Sequence, residues 1–399
     1  MARFKYNLGL ILAALVIVAG CFYIYFEHYT HYRPDTQTKI TLWYTDSDVL
    51  GRNIGELTEK YNSDEGKEYG IKVSLKAFNS RAELYDTVSQ CIDDKSSLPD
   101  IIICDADFSA YLDENKKLAD LDKYFGEWEK SSFNDSMLKA SMQDDKLLLI
   151  PFGAETSIFV VNNEVFSEFD SIKSFEKLCS VAGEYYGRNS KPFFSMGDYS
   201  MFFRTAMAQL GDNFDASNPR NTDNDNSKYI YNTLADAAFS RGFADMGNPA
   251  ELVIKGELPC AIVTTSQVMA FADEAKDGKI SFQMLPLMKN GKSVYCERVV
   301  GATVIESDTD TDKERVAAAF IDWLSAQNNV EVLTAGSGYI PAVGNASDLK
   351  KYKLNSELCD AINEAAKQGK AVAFSPDGEY SVNSRSFDAV LKTIMGSLN

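Results

Sequence analysis

The chain has 399 residues, of which 45% are hydrophobic and 25% are charged. This balance is typical of a globular protein that is too long for one ordinary core. The formal net charge of −18 would repel nucleic acids and anionic lipids, which argues against nucleic-acid binding. His28 and His31 are the only histidines, which argues against a hydrolase or metalloenzyme whose site depends on histidine. We therefore expect two lobes, no cofactor and no metal.

None of the seven cysteines belongs to a CxxC pair or has the spacing of zinc ligands. Cys104 and Cys260, for example, lie in apolar runs. This placement favours small buried thiols over disulfides.

The first 26 residues have the features of an export signal. Arg3 and Lys5 precede an apolar run at 8–26, and a basic start before an apolar stretch directs secretion. The sequence VAGC ending at Cys21 resembles the bacterial lipobox, in which the cysteine is lipidated and becomes the mature N-terminus. Because the apolar run continues past Cys21 for 19 residues in all, an uncleaved membrane helix is the alternative. In both cases the rest of the chain would lie on the extracytoplasmic face of the membrane, behind a polar tether at 27–38.

The segment after the tether predicts an α/β lobe. β-rich runs at 39–44, 71–77 and 101–104 alternate with helical patterns at 49–62 and 81–92. This β-α-β-α-β order indicates a mainly parallel sheet with helices on its faces.

Polar residues follow two strands of this predicted sheet. Ligands bind beyond the carboxyl ends of the strands in such sheets, so residues at these ends are candidates for the site. They are Tyr44, Asp46 and Ser47 after the first strand, and Asp105 and Asp107 after the third. Capping of a helix N-terminus is the alternative role for each aspartate.

The stretch FIDWLSAQNNVEVLTAGSGYIPA at 320–342 is the most informative one. It predicts an amphipathic helix and a short second helix, followed by a turn. Gly336 and Gly338 permit a tight backbone path there, and Pro341 ends any helix soon after. Tyr339 would stand on this stiff turn as a ligand-contacting ring, or alternatively as a core tyrosine.

This stretch resembles the C-terminal part of the extracellular solute-binding proteins of bacterial ABC importers, of the sugar and glycerol-3-phosphate type. The runs ITLWYTDSDVLG, IKVSLKAF, LPDIIICDADFSAYL and KLADLDKYF follow the order of that family's first lobe. The resemblance covers residues 39–399 and implies a two-lobed periplasmic-binding-protein-like fold of type II. It places 39–151 plus 300–338 in lobe one and 152–299 plus 339–399 in lobe two, joined by hinge crossings.

The resemblance also implies residues near the crossings. Glu155 and Thr156 would lie on the cleft floor at the first crossing, where a carboxylate would accept hydrogen bonds from sugar hydroxyls. Arg298 and Gly301 would lie at the second crossing, with the glycine permitting close approach of the backbone to a ligand. Tyr339 would mark the third crossing.

Further candidates come from the same resemblance. Asp198 and Tyr199 fall where relatives place ligand-stacking aromatic residues. Ser266 would offer a hydroxyl at a helix N-terminus. Arg81 and Arg385, together with the arginine at the second crossing, would supply the charge that a phosphate-bearing solute requires.

The predicted function is solute capture for an ABC transporter. Two lobes would close on the solute by hinge motion and deliver it unaltered to the permease subunits. The favoured solute is a sugar or oligosaccharide, because aspartate, tyrosine and glutamate at the cleft suit a neutral polyhydroxylated ligand. A glycerol phosphate, a glycerophosphodiester or a polyamine is the alternative solute, and a cell-surface glycoside hydrolase or a sensory ligand-binding module is the alternative class. We expect a monomer that is not an enzyme.

Overall fold

A computed structural model describes residues 38–214, 224–269, 278–307, 311–344, 370–372, 374 and 376–398. The export or anchor segment with Cys21 and the tether up to residue 37 lie outside these residues. Two β-sheets covered by helices organise the described part of the chain, which has a mixed α/β architecture.

The strands fall into these two sheets and two short pairs. In chain order they are β1 (Thr38–Thr45), β2 (Ile71–Phe78), β3 (Ile101–Asp105), β4 (Met142–Gln143), β5 (Lys146–Leu147), β6 (Ile150–Glu155), β7 (Ser157–Asn162), β8 (Phe194–Met196), β9 (Cys260–Thr264), β10 (Ile280–Met284), β11 (Val294–Cys296), β12 (Arg298–Val304), β13 (Ile340–Pro341) and β14 (Lys370–Val372).

The helices cover the sheets and fill the connections between strands. They are α1 (Val49–Ser63), α2 (Glu65–Tyr69), α3 (Arg81–Asp93), α4 (Ala106–Glu114), α5 (Glu127–Lys130), α6 (Asp135–Ala140), α7 (Phe175–Asn189), α8 (Tyr199–Gln209), α9 (Asp225–Phe239), α10 (Pro249–Ile254), α11 (Thr265–Met269), α12 (Thr311–Ser325), α13 (Gln327–Thr334) and α14 (Gly378–Leu398). Short 3₁₀ turns lie at Leu121–Lys123 and Phe169–Ser171.

The larger sheet has the strand order β13-β6-β12-β3-β1-β2, and the smaller sheet the order β10-β7-β9-β8. β1 runs parallel to β2 and β3, with Ile40 opposite Val73. β12 lies antiparallel between β3 and β6, so β2, β1, β3 and β6 share one direction. In the smaller sheet β7 runs against β9 and β10, while β8 is parallel to β9. Most strands of each sheet therefore run the same way, and the carboxyl ends of β1 and β3 meet at one edge.

Burial explains why these segments form strands. In β1, Ile40, Leu42 and Tyr44 are buried and alternate with more exposed positions, as one covered face requires. β3, β6 and β7 are buried along their whole length, because both faces are covered, and such strands read as continuous apolar runs. One apolar core follows the larger sheet and one face of the smaller sheet. A second, phenylalanine-rich core covers the other face of the smaller sheet.

Side-chain caps start the helices that border the site. Asp48 caps α1, Ser80 caps α3, Asp105 caps α4 and Asp198 caps α8, each by accepting from a backbone N–H group of the first turn. Each cap satisfies a donor that the helix leaves unpaired, and it fixes the point at which the chain leaves the strand.

The chain passes from the larger sheet to the smaller one at a single residue. Thr156 alone separates β6 from β7, and both strands are fully buried. Residues 152–155 belong to β6 and therefore to the larger sheet. Ile340 and Pro341 of β13 belong to the same sheet. The predicted boundaries of the two lobes stay a prediction.

Among the helices of the described residues, none combines the length and the apolar character that crossing a membrane requires. Within the same residues, no group of three or more histidine, cysteine, aspartate or glutamate side chains is arranged to hold a metal ion. The thiols of Cys91, Cys104, Cys179 and Cys260 are free.

Candidate functional site

A cavity of about 180 Å³ lies between the two sheets. Its wall on the side of the larger sheet comes from the carboxyl ends of strands and the helices that follow them. Arg81 and Tyr85 belong to α3, Asp105 ends β3, and Asp107 stands in the first turn of α4. Arg298 contributes from the start of β12.

The opposite wall is formed by α8 and α14. Asp198, the cap of α8, and Ser200 in its first turn line the cavity. The first half of α14 completes the wall with side chains at helical spacing, so that they share one face. They are Tyr380, Ser381, Ser384, Arg385 and Asp388.

A buried carboxylate organises the crossing between the sheets. The side chain of Glu155, at the end of β6, is only 1% exposed. Its Oε1 accepts from Nε of Arg298 at 2.9 Å and from Nη2 of Arg81 at 3.1 Å, and lies 2.8 Å from Nη2 of Arg298 in an ion pair. Its Oε2 accepts from the hydroxyl of Ser266, which follows β9 of the smaller sheet. We call Glu155, Arg81, Arg298, Ser266 and Tyr339 the hinge cluster.

Electrostatics keeps Glu155 ionised. Burial works against the charged form, but the guanidinium groups of Arg298 and Arg81 and the Ser266 hydroxyl outweigh it and lower the pKa of Glu155. Both carboxylate oxygens are occupied by protein donors. Glu155 therefore positions the two arginines, whereas the sequence predicted that it would accept from a sugar.

Arg298 joins the two walls of the cavity. Its Nη1 lies 2.8 Å from Oδ2 of Asp198, while Oδ1 of Asp198 accepts from the N–H of Met201 and the hydroxyl of Ser200 at 2.8 and 3.0 Å. Burial raises the pKa of Asp198, but Arg298 and the helix N–H outweigh it, so the pKa is lowered. The aspartate is thus both a helix cap and an ion-pair partner, two roles that the sequence did not indicate for it.

Tyr339 ties the turn before β13 to α1 and α3. Its hydroxyl accepts from Nη2 of Arg81 at 3.0 Å and donates to Oδ2 of Asp48 at 3.1 Å. Gly338 precedes it with φ of 77°, a conformation that favours glycine. Tyr339 is fully buried and burial raises its pKa, so it stays protonated. It supports Arg81 and does not line the main cavity.

A second ion pair connects helices that flank different sheets. Asp107 of α4 accepts from Nη1 and Nη2 of Arg204 of α8 at 2.7 and 3.3 Å. The guanidinium carbon of Arg204 lies 4.2 and 4.1 Å from the ring centroids of Phe374 and Tyr380. We call Asp107 and Arg204 the α4–α8 pair.

The cavity wall contains six of the predicted site residues and leaves nine outside it. The six are Arg81, Asp105, Asp107, Asp198, Arg298 and Arg385. Three of the other nine, Glu155, Ser266 and Tyr339, support the wall from the hinge cluster. Arg385 also pairs with Asp86 of α3.

The candidates at the end of β1 and in the loop after it do not line the cavity. Tyr44 is buried in the core, with its hydroxyl directed over Gly55 of α1. Asp46 and Ser47 are exposed. Asp48, which the sequence did not single out, is the residue of this loop that contacts the hinge cluster.

Tyr199, Gly301 and Thr156 also lie away from the cavity wall. Tyr199 is buried in the phenylalanine-rich core, and its hydroxyl donates to Asp245 at 3.1 Å. A Cβ on Gly301 would lie 1.9 Å from the carbonyl oxygen of Ile150, so the neighbouring strand requires this glycine, at a β-bulge. Thr156 is buried at the crossing itself.

Several wall residues were not anticipated from the sequence. They are Tyr85, Ser200, Tyr380, Ser381, Ser384 and Asp388. Tyr85 had a usable signal, because it stands four positions after Arg81 on the same helix and therefore shares its face. The residues of α14 had no such signal in the sequence. A helical pattern predicts the helix but not the distant surface on which the helix packs.

The described geometry can be compared with known proteins. The family model for bacterial extracellular solute-binding proteins matches residues 56–359. The chain belongs to this family. The predicted resemblance and the function of solute binding are thereby confirmed.

Solved structures show the same fold at low identity. The GacH receptor of Streptomyces glaucescens, solved unliganded and with acarbose, matches with a TM-score of 0.71 at 14% identity, over 91% of this chain and 94% of that one. UgpB from Mycobacterium tuberculosis, in complex with glycerophosphocholine, matches with a TM-score of 0.71 at 14% identity, over 90% and 95%. The maltotriose binding protein of Thermus thermophilus matches with a TM-score of 0.65 at 13% identity, over 90% and 97%. The predicted two-lobed α/β fold of this solute-binding protein is confirmed, and the cavity lies between its lobes.

Proposed function

We propose that this solute-binding protein captures a small uncharged sugar in the cavity between its lobes and delivers it to the permease of an ABC importer. The observation that carries the proposal is the compensation of charge along the cavity wall. Among the similar structures, the GacH receptor was solved with acarbose and the Thermus protein with maltotriose, which supports a carbohydrate.

The cations of the wall are engaged by the protein itself. Arg81, Arg298 and Arg385 each form an ion pair with a carboxylate of the described chain. A phosphate group binds best to arginines that can turn a fork of N–H donors toward it. Here those charges are already balanced, which disfavours a glycerol phosphate or a glycerophosphodiester.

The anions are engaged as well. Asp107 and Asp198 are each paired with an arginine, and Asp105 caps α4 and accepts from the hydroxyl of Tyr85 at 2.8 Å. A polyamine requires carboxylates with uncompensated charge. The lining therefore offers hydrogen-bonding groups whose charges are largely balanced. An uncharged polyhydroxylated solute suits such a lining best.

The size and shape of the cavity narrow the solute further. About 180 Å³ is below the roughly 300–1,000 Å³ of common ligand clefts, so the space suits about one sugar ring. Tyr85 and Tyr380 on the wall present flat rings that can pack against the C–H groups of a pyranose. We infer a monosaccharide, or one ring of an oligosaccharide, as the occupant.

We also propose how the protein is attached and how it acts. The export signal, with the lipobox-like sequence at Cys21, supports a lipid anchor on the extracytoplasmic face of the membrane, and an uncleaved helix at 8–26 is the alternative. The protein acts as a monomer, needs no cofactor and leaves the solute unchanged. The mass of the mature N-terminal peptide separates the two anchors, because acylation adds fatty-acid mass to Cys21 and an uncleaved chain retains Arg3 and Lys5.

A thermal-shift panel tests the solute class. Purified protein is heated with monosaccharides, short oligosaccharides, glycerol 3-phosphate, glycerophosphocholine or spermidine, because a ligand of the folded state raises the melting temperature. We expect a neutral sugar to stabilise the protein and to be recovered intact by mass spectrometry. Stabilisation by charged solutes alone would refute the sugar assignment, and recovery of a cleaved glycoside would support the hydrolase instead.

A further inference from the structure

Asp388 is the carboxyl group of the cavity wall whose contacts differ most from the others. It lies on α14, on the face that lines the cavity. Phe387 and Leu391 of the same helix are buried in the phenylalanine-rich core, so the helix is held firmly and Asp388 is fixed in position.

In the described part of the chain, only one of the two carboxyl oxygens of Asp388 accepts a hydrogen bond. Its Oδ1 accepts from the backbone N–H of Ser200 at 2.7 Å. Within the described part of the chain its Oδ2 has no hydrogen-bond partner, and no lysine or arginine lies within ion-pair distance of it. Asp198, by contrast, is held by Arg298 at 2.8 Å.

The two aspartates are close, because Ser200 binds both of them. Its backbone N–H donates to Asp388, and its hydroxyl donates to Asp198 at 3.0 Å. When two carboxyl groups share a site with one cation, the unpaired carboxyl holds its proton. The geometry therefore makes Asp388 the neutral member of the two.

Charged groups from three elements surround Asp388, and Tyr199 of α8 also feels its charge. Asp198 of α8, Arg298 of β12 and Lys392 of α14 act on it directly. The other charged residues of the cavity wall are Arg81, Asp105, Asp107 and Arg385. Burial and the charge of Asp198 raise the pKa of Asp388 to about 8, against the opposing effects of the Ser200 N–H, Lys392 and Arg298.

A second group on α14 is also open to a ligand. The hydroxyl of Ser381 is buried on the cavity wall and has no hydrogen-bond partner in the described residues. A buried polar atom without a partner is rare in native proteins and calls for a partner that the chain does not supply. Ser381 and Asp388 thus supply unsatisfied hydrogen-bonding groups on one helix.

We propose that Asp388 determines solute specificity by binding the sugar as an uncharged carboxyl, with Oδ2–H donating to a sugar oxygen while Oδ1 accepts from Ser200. The Ser381 hydroxyl, about two turns away on the same face of α14, provides a second hydrogen bond to the same solute. This inference rests on the proposed function. It adds that sugar capture weakens in alkaline solution, because an ionised Asp388 cannot donate and would place a net negative charge beside the solute.

The test measures sugar affinity against pH by isothermal titration. D-glucose, D-xylose and maltose are titrated into the full-length protein between about pH 6 and pH 9. At one pH unit above the pKa about a tenth of a carboxyl remains protonated, so the parent should lose about tenfold in affinity between pH 6 and pH 9. Asp388→Ala should weaken binding at pH 6 at least about tenfold.

Asp388→Asn separates the lost proton from the lost side chain. Its amide keeps a donor at every pH, so this variant should bind the sugar more tightly than the parent at pH 9, with a flat pH profile. Asp236→Asn, on the exposed face of α9, likewise replaces one aspartate by asparagine and should keep the pH profile of the parent.

The outcomes are distinct. If none of the three sugars binds the parent at pH 6, the proposed solute class fails. If a sugar binds but the parent shows no loss toward pH 9, or Asp388→Asn loses affinity with pH as the parent does, the solute class stands and the role of Asp388 is refuted.

Discussion

The hinge cluster and the α4–α8 pair both join the two lobes through buried ion pairs, but they do so at different places. Glu155 and Arg298 stand at the ends of strands that lead into or out of a crossing, so chain continuity keeps them close. Asp107 and Arg204 stand 97 positions apart on helices that flank different sheets, so chain continuity does not hold them together. We infer that the first arrangement persists when the lobes open and that the second must break.

This difference assigns the two arrangements different tasks. A permanent buried cluster fixes the orientation of the arginines that face the solute, which keeps the site preorganised. A pair that forms only on closure adds its energy to the closed state, and a solute shifts the equilibrium only by its preference for that state. The hinge cluster should therefore control stability, and the α4–α8 pair should control opening.

The largest effect is expected from Glu155→Gln. The change leaves Arg298 and Arg81 short of a counter-charge in a buried site, and breaking such a pair costs about 3–5 kcal/mol. Urea unfolding measures the loss. Glu164→Gln, which removes one member of a half-exposed pair with Lys279, should cost less than about 1 kcal/mol. Equal losses in the two variants would contradict the permanence of the hinge cluster.

A smaller effect on unfolding, but a visible one on shape, is expected from Arg204→Met. The unpaired Asp107 can regain water if the lobes open, so the free energy of unfolding should fall by only about 2 kcal/mol, less than removal of a trapped partner costs. Small-angle X-ray scattering should show a larger radius of gyration, and solute affinity should drop several-fold.

The matched control for opening is Arg188→Met, which breaks an exposed pair within α7. It should change neither shape nor affinity. If Arg204→Met loses as much stability as Glu155→Gln and its radius of gyration is unchanged, the inference is wrong. The α4–α8 pair would then be a permanent contact like the hinge cluster.

The smallest effect is expected from Tyr339→Phe. The change removes a hydroxyl that joins Arg81 to Asp48 and should cost about 1 kcal/mol in urea unfolding. Because Tyr339 does not line the main cavity, solute affinity should change less than about threefold. Tyr186→Phe, on the outer helix α7, serves as the control. A tenfold loss of affinity for Tyr339→Phe would show that the tyrosine contacts the solute after all.

The sequence predicted the parts of the site that depend on local order. Asp105 and Asp107 were predicted because the carboxyl ends of strands face the ligand side of an α/β sheet, and both line the cavity; their contact with a solute stays a prediction. The β-α-β order and the turn at Tyr339 likewise indicated the fold. These signals come from residues that are close together in the sequence, so one sequence is enough to detect them.

The remainder depends on contacts between distant segments. The arginines that hold Glu155 were not anticipated, because they stand 74 and 143 positions away, and its predicted contact with a solute stays a prediction. Tyr199 was predicted to face the ligand, but packing turns it into the core of its lobe. Asp388 and Ser381 belong to α14, whose contact with the cavity depends on the way the last helix packs on both lobes.

The dependence of solute affinity on salt tests the central claim most directly, namely that the charges of the cavity wall cancel and leave a site for an uncharged sugar. The sugar found in the thermal-shift panel is titrated calorimetrically at low salt and at about 0.5 M sodium chloride, where exposed charges are largely screened. The account predicts dissociation constants that agree within about twofold. A several-fold loss of affinity at high salt would mean that the site holds its solute through net charge, and would contradict the account.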